Sequence, residues 1–332
     1  MKEATMILAG DIGGTKTNLA LFEVLNGSLQ IQKQEQYSSK AYTTFDAVIE
    51  EFLQGISLEK LDAACFGIAG AIIDGACSTT NLPWHISTQN LQQTLGIKNV
   101  RLMNDLEATA YGMLYLPKES FVDLNPSSHE RKANKAVIAA GTGLGEGMLF
   151  FDGANYFPLG SEGGHTDFAP TSSLQDALLL WLRKHFPAHV SYERILSGPG
   201  IATLYDFLLE ELKLPQALMI ENIAHDADKS ALISQCALEQ KDPLCIKTLE
   251  LFTEIYGAET GNLALKTLSL GGVYIGGGIA PKILPFMQSK HFMHAFANKG
   301  RFQEMLLDMP VKISLNPETA LLGAAHFAKD KF

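Results

Sequence analysis

A carboxylate and a glycine turn near the N-terminus could together hold a phosphate and its metal ion. Asp11 ends an apolar stretch and is followed by Gly13, Gly14 and Thr15. Carboxylate oxygens suit Mg²⁺, while exposed backbone N–H groups beside a hydroxyl suit phosphate. Glycine also permits close approaches and backbone conformations that a side chain would block. The stretch predicts a metal–phosphate site, although an ordinary glycine hairpin explains the same residues.

A second candidate for chemistry is the pair Asn104 and Asp105, which follows the apolar strand predicted at 100–103. Open α/β sheets bind ligands at the carboxyl ends of their strands. There an Asp can accept the proton of a substrate hydroxyl, and an Asn can hold a neighbouring hydroxyl, as phosphoryl transfer requires. The alternative is structural, because both residue types favour the N-cap position of a helix.

The third candidate is the polar set of Glu162, His165 and Glu193. Carboxylates and imidazole accept hydrogen bonds from sugar hydroxyls, so a sugar site is one interpretation. A metal site is the competing interpretation, but two carboxylates and one His without a cysteine make a poor zinc site. Glu193 could also be an ion-pair partner of Arg194 or a surface charge.

Three glycine-rich loops, at 13–15, 141–145 and 276–278, each follow an apolar stretch that reads as a strand. One such loop is weak evidence, but three in one acidic chain predict a nucleotide held between two sheets. None of them is a Walker A sequence, because no Gly-Lys-Ser/Thr closes them. The spacing in 141–145 also lacks the last glycine of a dinucleotide fingerprint, which disfavours an NAD enzyme.

The elements that must position these residues follow from apolar periodicity and turn residues. Residues 7–22 and 136–151 repeat one unit, strand, Gly/Thr turn and strand, which predicts two related halves facing one another. Further strands are predicted at 29–37, 61–68, 269–275 and 311–315, with turns at 26–27 and 72–75. Helices are predicted at 45–53, 87–95, 106–114, 173–183, 200–212, most of 215–268, 281–286 and 318–329. Residues 117–135 are predicted to be a surface loop.

Bulk composition limits the class of protein. The 332 residues are 46% hydrophobic and 19% charged, which suits a globular chain of two domains. The net charge of −10 argues against a general nucleic-acid binder and against an anionic membrane surface. Four cysteines without a C-x-x-C pair give neither a zinc site nor a disulfide scaffold. With no signal-peptide pattern and no membrane-spanning run, we expect reduced thiols in a cytoplasmic protein.

The motifs resemble those of bacterial glucokinases, in the same order along nearly the whole chain. They are Asp11–Thr15, Asn104–Ala108, Gly141–Gly145, Glu162–Pro170, Glu193–Gly200 and Gly271–Ile279. The resemblance is to the ATP-dependent group without a zinc motif. A related group of repressors and sugar kinases carries a cysteine cluster after its Gly-His, whereas this chain has no cysteine between Cys77 and Cys236.

This resemblance implies an α/β fold of the actin-like (ribonuclease H-like) ATPase type, with two α/β domains around a cleft. The small domain would comprise 1–110 plus 316–332, and the large domain 111–315. The implied enzyme is a glucokinase that uses ATP and Mg²⁺ to convert glucose to glucose 6-phosphate and ADP, the first step of glycolysis. The family expectation for the assembly is a homodimer.

The resemblance also implies a role for individual residues. Asp105 would be the catalytic base. The glucose ligands would be Asn81, Asn104, Asp105, Glu162, His165 and Glu193. The nucleotide would contact Asp11, Gly13, Gly14, Thr15, Gly141, Thr142, Gly143, Gly276, Gly277 and Gly278, with Asp11 holding Mg²⁺ through water. The chain departs from the family at Lys16–Asn18, where Asn-Ala-Arg is often found, and at Leu159–Ser161, where Leu-Pro-Gly precedes the Glu.

Two alternatives to a glucokinase remain at this point. One is a kinase for another hexose or an N-acylated hexose. The other is an actin-like assembly protein or a sugar-sensing regulator with an inactive site. The sugar-ligand set argues against both, and ADP release on adding single sugars would discriminate between them.

Overall fold

The computed structural model describes residues 5–79, 82–126, 128–215, 218–221 and 228–332. The chain forms two compact units. Unit 1 comprises Met1–Ser120, Tyr156–Gly160 and Asn316–Phe332, and unit 2 comprises Phe121–Asn155 and Ser161–Leu315. Within the described ranges, none of the helices combines the length and the apolar character that crossing a membrane requires.

Unit 1 is built on a five-stranded sheet and a small two-stranded ribbon. Its strands are β1 (Thr5–Ile12), β2 (Lys16–Leu25), β3 (Ser28–Ser38), β4 (Leu61–Ile68), β5 (Ala76–Ser78), β6 (His85–Ser87) and β7 (Asn99–Asn104). The sheet order is β3-β2-β1-β4-β7, with β5 and β6 forming the ribbon. Asn26 and Gly27 both have positive φ, 52° and 80°, as the Asn-Gly hairpin turn requires.

Unit 2 contains the second large sheet except for Tyr156–Gly160 of one edge strand, which belong to unit 1. Its strands are β8 (Phe121–Asp123), β9 (Lys135–Ala140), β10 (Leu144–Phe151), β11 (Tyr156–Ser161), β12 (Val273–Gly276) and β13 (Val311–Ser314), in the order β11-β10-β9-β12-β13-β8. The prediction of a surface loop over 117–135 was therefore wrong at β8, which pairs antiparallel with β13. A three-residue, half-exposed edge strand has too few residues to show an alternating pattern.

The helices follow most of the predicted positions. They are α1 (Phe45–Phe52), α2 (Thr88–Leu95), α3 (Asp105–Gly112), α4 (Ser173–His185), α5 (Gly198–Leu212), α6 (Leu218–Glu221), α7 (Lys229–Leu238), α8 (Pro243–Thr267), α9 (Ile279–Lys282), α10 (Leu284–Met287), α11 (Lys290–Ala297), α12 (Gln303–Leu307) and α13 (Thr319–Lys331). The predicted N-cap of α2 is confirmed, because the Ser87 hydroxyl accepts from the Asn90 N–H at 3.2 Å. The helix predicted over 281–286 is two short helices that meet at Ile283.

The unit 1 sheet has an apolar layer on each face. Successive residues of β1 point to opposite sides, so Leu8 packs with the layer beneath α1 and α2 while Ile7 packs with α13. Helices α3 and α13 pack closely, since a Cβ on Gly112 or Gly323 would collide with the backbone of the other helix. This packing fixes α3, whose first residue is Asp105.

The core of unit 2 surrounds the long helix α8. Its buried side chains, among them Leu249, Phe252 and Tyr256, form one cluster with Ile138 of β9 and Leu204 of α5. All four cysteines of the chain are buried free thiols. The apolar cluster holds β9 and β12, and these two strands carry the second and third glycine loops.

Candidate functional site

The predicted site residues Asp11, Asn104 and Asp105 of unit 1 lie along one edge of its sheet. Strands β1, β4 and β7 run parallel, so their carboxyl ends meet at the same edge. Asp11 pairs in register with Gly67, and Ile68 pairs with Asn104. The sheet therefore brings the glycine turn after β1 and the Asn104–Asp105 pair to one edge, where parallel α/β sheets bind ligands.

Asp11 and the turn after it form a compact structure. The side chain of Asp11 is half-buried, and burial raises its pKa while a hydrogen bond from Asn18 lowers it. The Gly13 N–H donates to the Lys16 carbonyl at 2.9 Å. Neither Gly13 nor Gly14 has a positive φ, so this turn does not use the left-handed backbone that glycine allows. Glycine is favoured by the tight approach instead, since a Cβ on Gly13 would lie 3.1 Å from the Lys16 carbonyl oxygen.

Asn104 is the N-cap of α3. Its Oδ1 accepts from the Leu106 N–H at 2.9 Å, and its Nδ2 donates to the Gly70 carbonyl at 3.2 Å. The structural alternative for this residue is therefore observed. Asp105 is the first helical residue, half-buried, and its Oδ1 also accepts from the Leu106 N–H at 2.9 Å. A carboxylate at this position is stabilised by the positive end of the helix dipole.

Glu107 is a site residue that the sequence reasoning missed. Its Oε2 accepts from the Asn104 N–H at 3.0 Å, which completes a capping box. Its Oε1 accepts from the Gly160 N–H at 3.3 Å, two residues before Glu162. The spacing from Asn104 to Glu107 is that of a capping box, so the signal was present in the sequence. A proline at 160 would remove the N–H that Glu107 binds.

The glycine loops of unit 2 lie at the ends of adjacent parallel strands. Strand β9 pairs with β12, with Gly276 opposite Ala139, so the loops at 141–143 and 277–278 start at the same edge. Gly277 has a φ of 78°, and a Cβ there would collide with the Ala140 carbonyl. Glycine is therefore required at 277 for its conformation and for its close contact with the end of β9.

Glu193 joins the sugar-ligand set to the second glycine loop. Its Oε2 accepts from the Leu144 N–H at 3.0 Å, and a Cβ on Gly143 would collide with the same oxygen. Its Oε1 lies 4.0 Å from Nε2 of His165. Arg194 lies over the Phe186 ring, 4.4 Å from its centroid. The fold thus places Glu193 with His165.

The segment that carries Glu193 is tied to the same loop by its backbone. The Gly198 N–H, at the start of α5, donates to the Gly141 carbonyl at 2.8 Å. Ser197 caps α5 and donates its hydroxyl to the Glu193 carbonyl at 2.8 Å. Glu162 is exposed and precedes the short turn Gly163–His165, whereas Asn81 lies outside the described residues.

A family model and individual relatives both match this chain over nearly its full length. The sequence model of the Glucokinase family matches residues 8–331. A glucokinase of Nostoc punctiforme is 42% identical over 97% of this chain and 98% of its own length.

Solved structures share the fold. The crystal structure of a glucokinase from an Antarctic psychrotroph has a TM-score of 0.84 at 32% identity, covering 96% of this chain and 97% of that chain. A ROK family glucokinase from Streptomyces griseus, in complex with glucose and AMPPNP, has a TM-score of 0.65 at 20% identity, covering 98% and 99%. This second similarity supports the fold alone.

Proposed function

The chain belongs to the glucokinase family, and on that premise we propose that it transfers the γ-phosphoryl group of ATP to the 6-hydroxyl of glucose. The products are glucose 6-phosphate and ADP. The observation that carries this proposal is the match over nearly the whole chain, within which each predicted motif occurs in order. Phosphoryl transfer depends mainly on placement and electrostatics, which glycine loops and fixed carboxylates provide.

Asp105 is the proposed general base. The 6-hydroxyl oxygen attacks the γ-phosphorus, the bond to the β-phosphate oxygen breaks, and the hydroxyl proton passes to the Asp105 carboxylate. Its place at the first turn of α3, at the carboxyl edge of the sheet, supports this role. The capping bonds of Asn104 and Glu107 stabilise that turn.

Glucose is proposed to bind through hydroxyl contacts to Asn81, Asn104, Asp105, Glu162, His165 and Glu193. Glu193 has an acceptor oxygen held by the Leu144 N–H, and His165 lies beside it, which supports their pairing as sugar ligands. Carboxylates bind hydroxyls strongly because they accept directional hydrogen bonds.

The nucleotide is proposed to contact the turn at 13–15 and the loops at 141–143 and 276–278. Their position at carboxyl strand edges supports the assignment. Asp11 would hold Mg²⁺ through water, since its half-buried carboxylate offers the oxygen donor that this ion prefers. When bound, Mg²⁺ would neutralise charge on the phosphates.

We further propose the domain organisation, the oligomeric state and the cellular location of the enzyme. Residues 1–110 with 316–332 act as the small domain and 111–315 as the large domain. The enzyme is a cytoplasmic homodimer that catalyses the first step of glycolysis. Sedimentation tests the dimer, because a particle mass near the 36.1 kDa of one chain would contradict it.

The direct test of function is a coupled ADP assay over single hexoses and phosphoryl donors. We expect turnover with glucose and ATP to exceed that with galactose, mannose, fructose and N-acetylglucosamine, and to require Mg²⁺. Higher kcat/KM with another hexose would assign that sugar as the substrate. ADP release unaffected by any sugar would instead support an assembly protein or a regulator.

A further inference from the structure

A buried pair of glutamates lies behind the turns that carry the proposed glucose ligands. Glu146 on β10 is 2% exposed, and Glu259 on α8 is 0% exposed. The charge of the neighbouring Glu259 disfavours ionisation of the Glu146 carboxyl. Among the described residues, Oε1 of Glu146 finds no hydrogen-bond partner. Two ionised carboxylates can only accept hydrogen bonds and repel each other, so a proton on one of them relieves the repulsion.

Within the part of the chain that the structure describes, Glu259 has charged and polar partners that Glu146 lacks. Nζ of Lys266, about two turns further along α8, lies 3.4 Å from Oε1 of Glu259. The side-chain amide of Asn262 donates to Oε2 of Glu259 at 2.8 Å. Lys299, beyond α11, donates to the amide oxygen of Asn262 at 2.6 Å. The charge of Glu259 is therefore balanced. Burial, and next the charge of Glu259, raises the pKa of Glu146 to about 8, while Lys266 opposes the shift.

Glu146 and Glu259 are connected to the two turns that carry sugar ligands, at 163–165 and 192–194. On one side, a Cβ on Gly163 would collide with the Glu146 side chain, and the Ser161 hydroxyl donates to the Glu146 carbonyl at 2.9 Å. These residues flank Glu162. On the other side, the Asn262 side-chain amide donates both to Oε2 of Glu259 at 2.8 Å and to the Tyr192 hydroxyl at 3.2 Å. Tyr192 directly precedes Glu193. The Tyr256 hydroxyl of α8 accepts from the Ala140 N–H at 3.2 Å, and burial together with the charge of Glu146 raises the pKa of Tyr256.

We propose that Glu146 keeps its proton at neutral pH and, together with Glu259, acts as a positioning residue for glucose, by holding the turns at 163–165 and 192–194 at the separation that glucose binding requires. Ionising Glu146 would place two negative charges side by side in a buried site, where they repel strongly. The turns would then shift, and the affinity for glucose would fall. This inference rests on the proposed function and concerns the same site.

The expected signature is a pH dependence confined to glucose. The KM and Kd for glucose should rise as the pH passes from 7 to 9, by up to about tenfold per pH unit above the pKa, because one proton is linked to binding. The KM for ATP should change little. Glu146→Gln keeps the shape and the donor of the protonated acid, so it should bind glucose as wild type does at pH 7 and show no loss at pH 9.

The experiment measures glucose binding by calorimetry from pH 6.5 to 9.5 in wild type, Glu146→Gln and Glu250→Gln. The last variant is the matched control, since Glu250 lies on α8 and makes an ion pair with Lys247 at 3.1 Å. In parallel, difference infrared spectroscopy follows the C=O stretch of a protonated carboxyl. We expect a band that titrates near pH 8 in wild type and is missing from Glu146→Gln.

The inference is overturned if Glu146→Gln keeps the pH dependence of wild type, or if no protonated-carboxyl band exists at neutral pH. Failure of the proposed function looks different, because wild type would then bind no glucose at any pH. If Glu146→Gln does not fold, the infrared titration of wild type and the pH dependence of glucose binding by Glu259→Gln still test the inference. The second variant should also lose the rise above pH 7.

Discussion

Glu193 makes contacts that link two predicted roles in one residue. Its carboxylate accepts from the Leu144 N–H and approaches His165, so it belongs both to the sugar-ligand set and to the support of a glycine loop. Sequence patterns could identify Glu193 and His165 as candidate site residues, but they could not predict that the two side chains lie close together. They are 28 positions apart, and only the packing of the turn at 192–194 against the turn at 163–165 brings them together.

The first prediction concerns this residue. Glu193→Gln retains an oxygen for the Leu144 N–H but removes the charge that strengthens hydrogen bonds to sugar hydroxyls. We expect the KM for glucose to rise about tenfold or more, with a much smaller change in the KM for ATP. Steady-state kinetics with each substrate varied measures both values.

A metal role for Glu193 and His165 predicts a different result. Activity that is lost with a zinc chelator in the presence of Mg²⁺, and restored by zinc alone, would overturn the sugar assignment. Glu210→Gln is a suitable control, because Glu210 lies on α5 and bonds only to Trp181 among the hydrogen bonds described for it.

At the scale of elements, the capping box of α3 determines the conformation of the turn that carries Asp105. Glu107 binds the N–H groups of Asn104 and Gly160 with its two oxygens. Removing it leaves two donors without their protein partner. The same residue therefore supports the start of α3 and the end of β11.

We predict that Glu107→Ala lowers the free energy of unfolding by about 1–2 kcal/mol, as loss of a helix cap does. It should also reduce glucose affinity, because Asn104 and the chain leading to Glu162 lose a shared anchor. Glu107→Gln is the matched control, since Gln also completes a capping box. Urea titration measures the stability, and an alanine variant as stable as the glutamine variant would count against the bridge.

Elements with strong local signals were predictable, and those without them were not. The hairpin of β1 and β2, the Asn26–Gly27 turn and the cap of α2 each depend on residues close in sequence, and all are confirmed. Strands β8 and β11 were missed. Both are edge strands, and β11 is mostly exposed, so no alternation of apolar residues reveals it.

At the scale of the whole molecule, the two large sheets repeat one topology. The order β3-β2-β1-β4-β7 in the first sheet matches β11-β10-β9-β12-β13 in the second, with a hairpin meander followed by two parallel strands. The fold is the actin-like ATPase fold of the glucokinases that it resembles. The sequence indicated this repeat because residues 7–22 and 136–151 each consist of a strand, a turn with Gly and Thr, and a second strand.

The buried glutamates Glu146 and Glu259 could not be predicted from the sequence. Glu146 follows the second glycine loop and Glu259 lies in a helix, and neither position has a local pattern that distinguishes it from a surface charge. Burial of a carboxyl is decided by tertiary packing. Only the structure shows that both are buried inside unit 2 and that the charge of Glu259 acts on Glu146.

The central claim is that Asp105 takes the proton of the glucose 6-hydroxyl, and the turnover of Asp105→Asn tests it most directly. Asn caps a helix nearly as well as Asp, so the fold should remain and stability should fall by about 1 kcal/mol or less. A general base contributes roughly 10²–10⁴-fold to rate, so kcat should fall at least about a hundredfold.

The measurement compares kcat and the Kd for glucose in wild type, Asp105→Asn and Asp62→Asn, the last being an exposed carboxylate on β4 of the same unit. We predict that Asp105→Asn binds glucose with an affinity near that of wild type and loses turnover, while Asp62→Asn keeps both. Near-normal kcat for Asp105→Asn with a lowered melting temperature would contradict the account, and would show that Asp105 serves the helix alone.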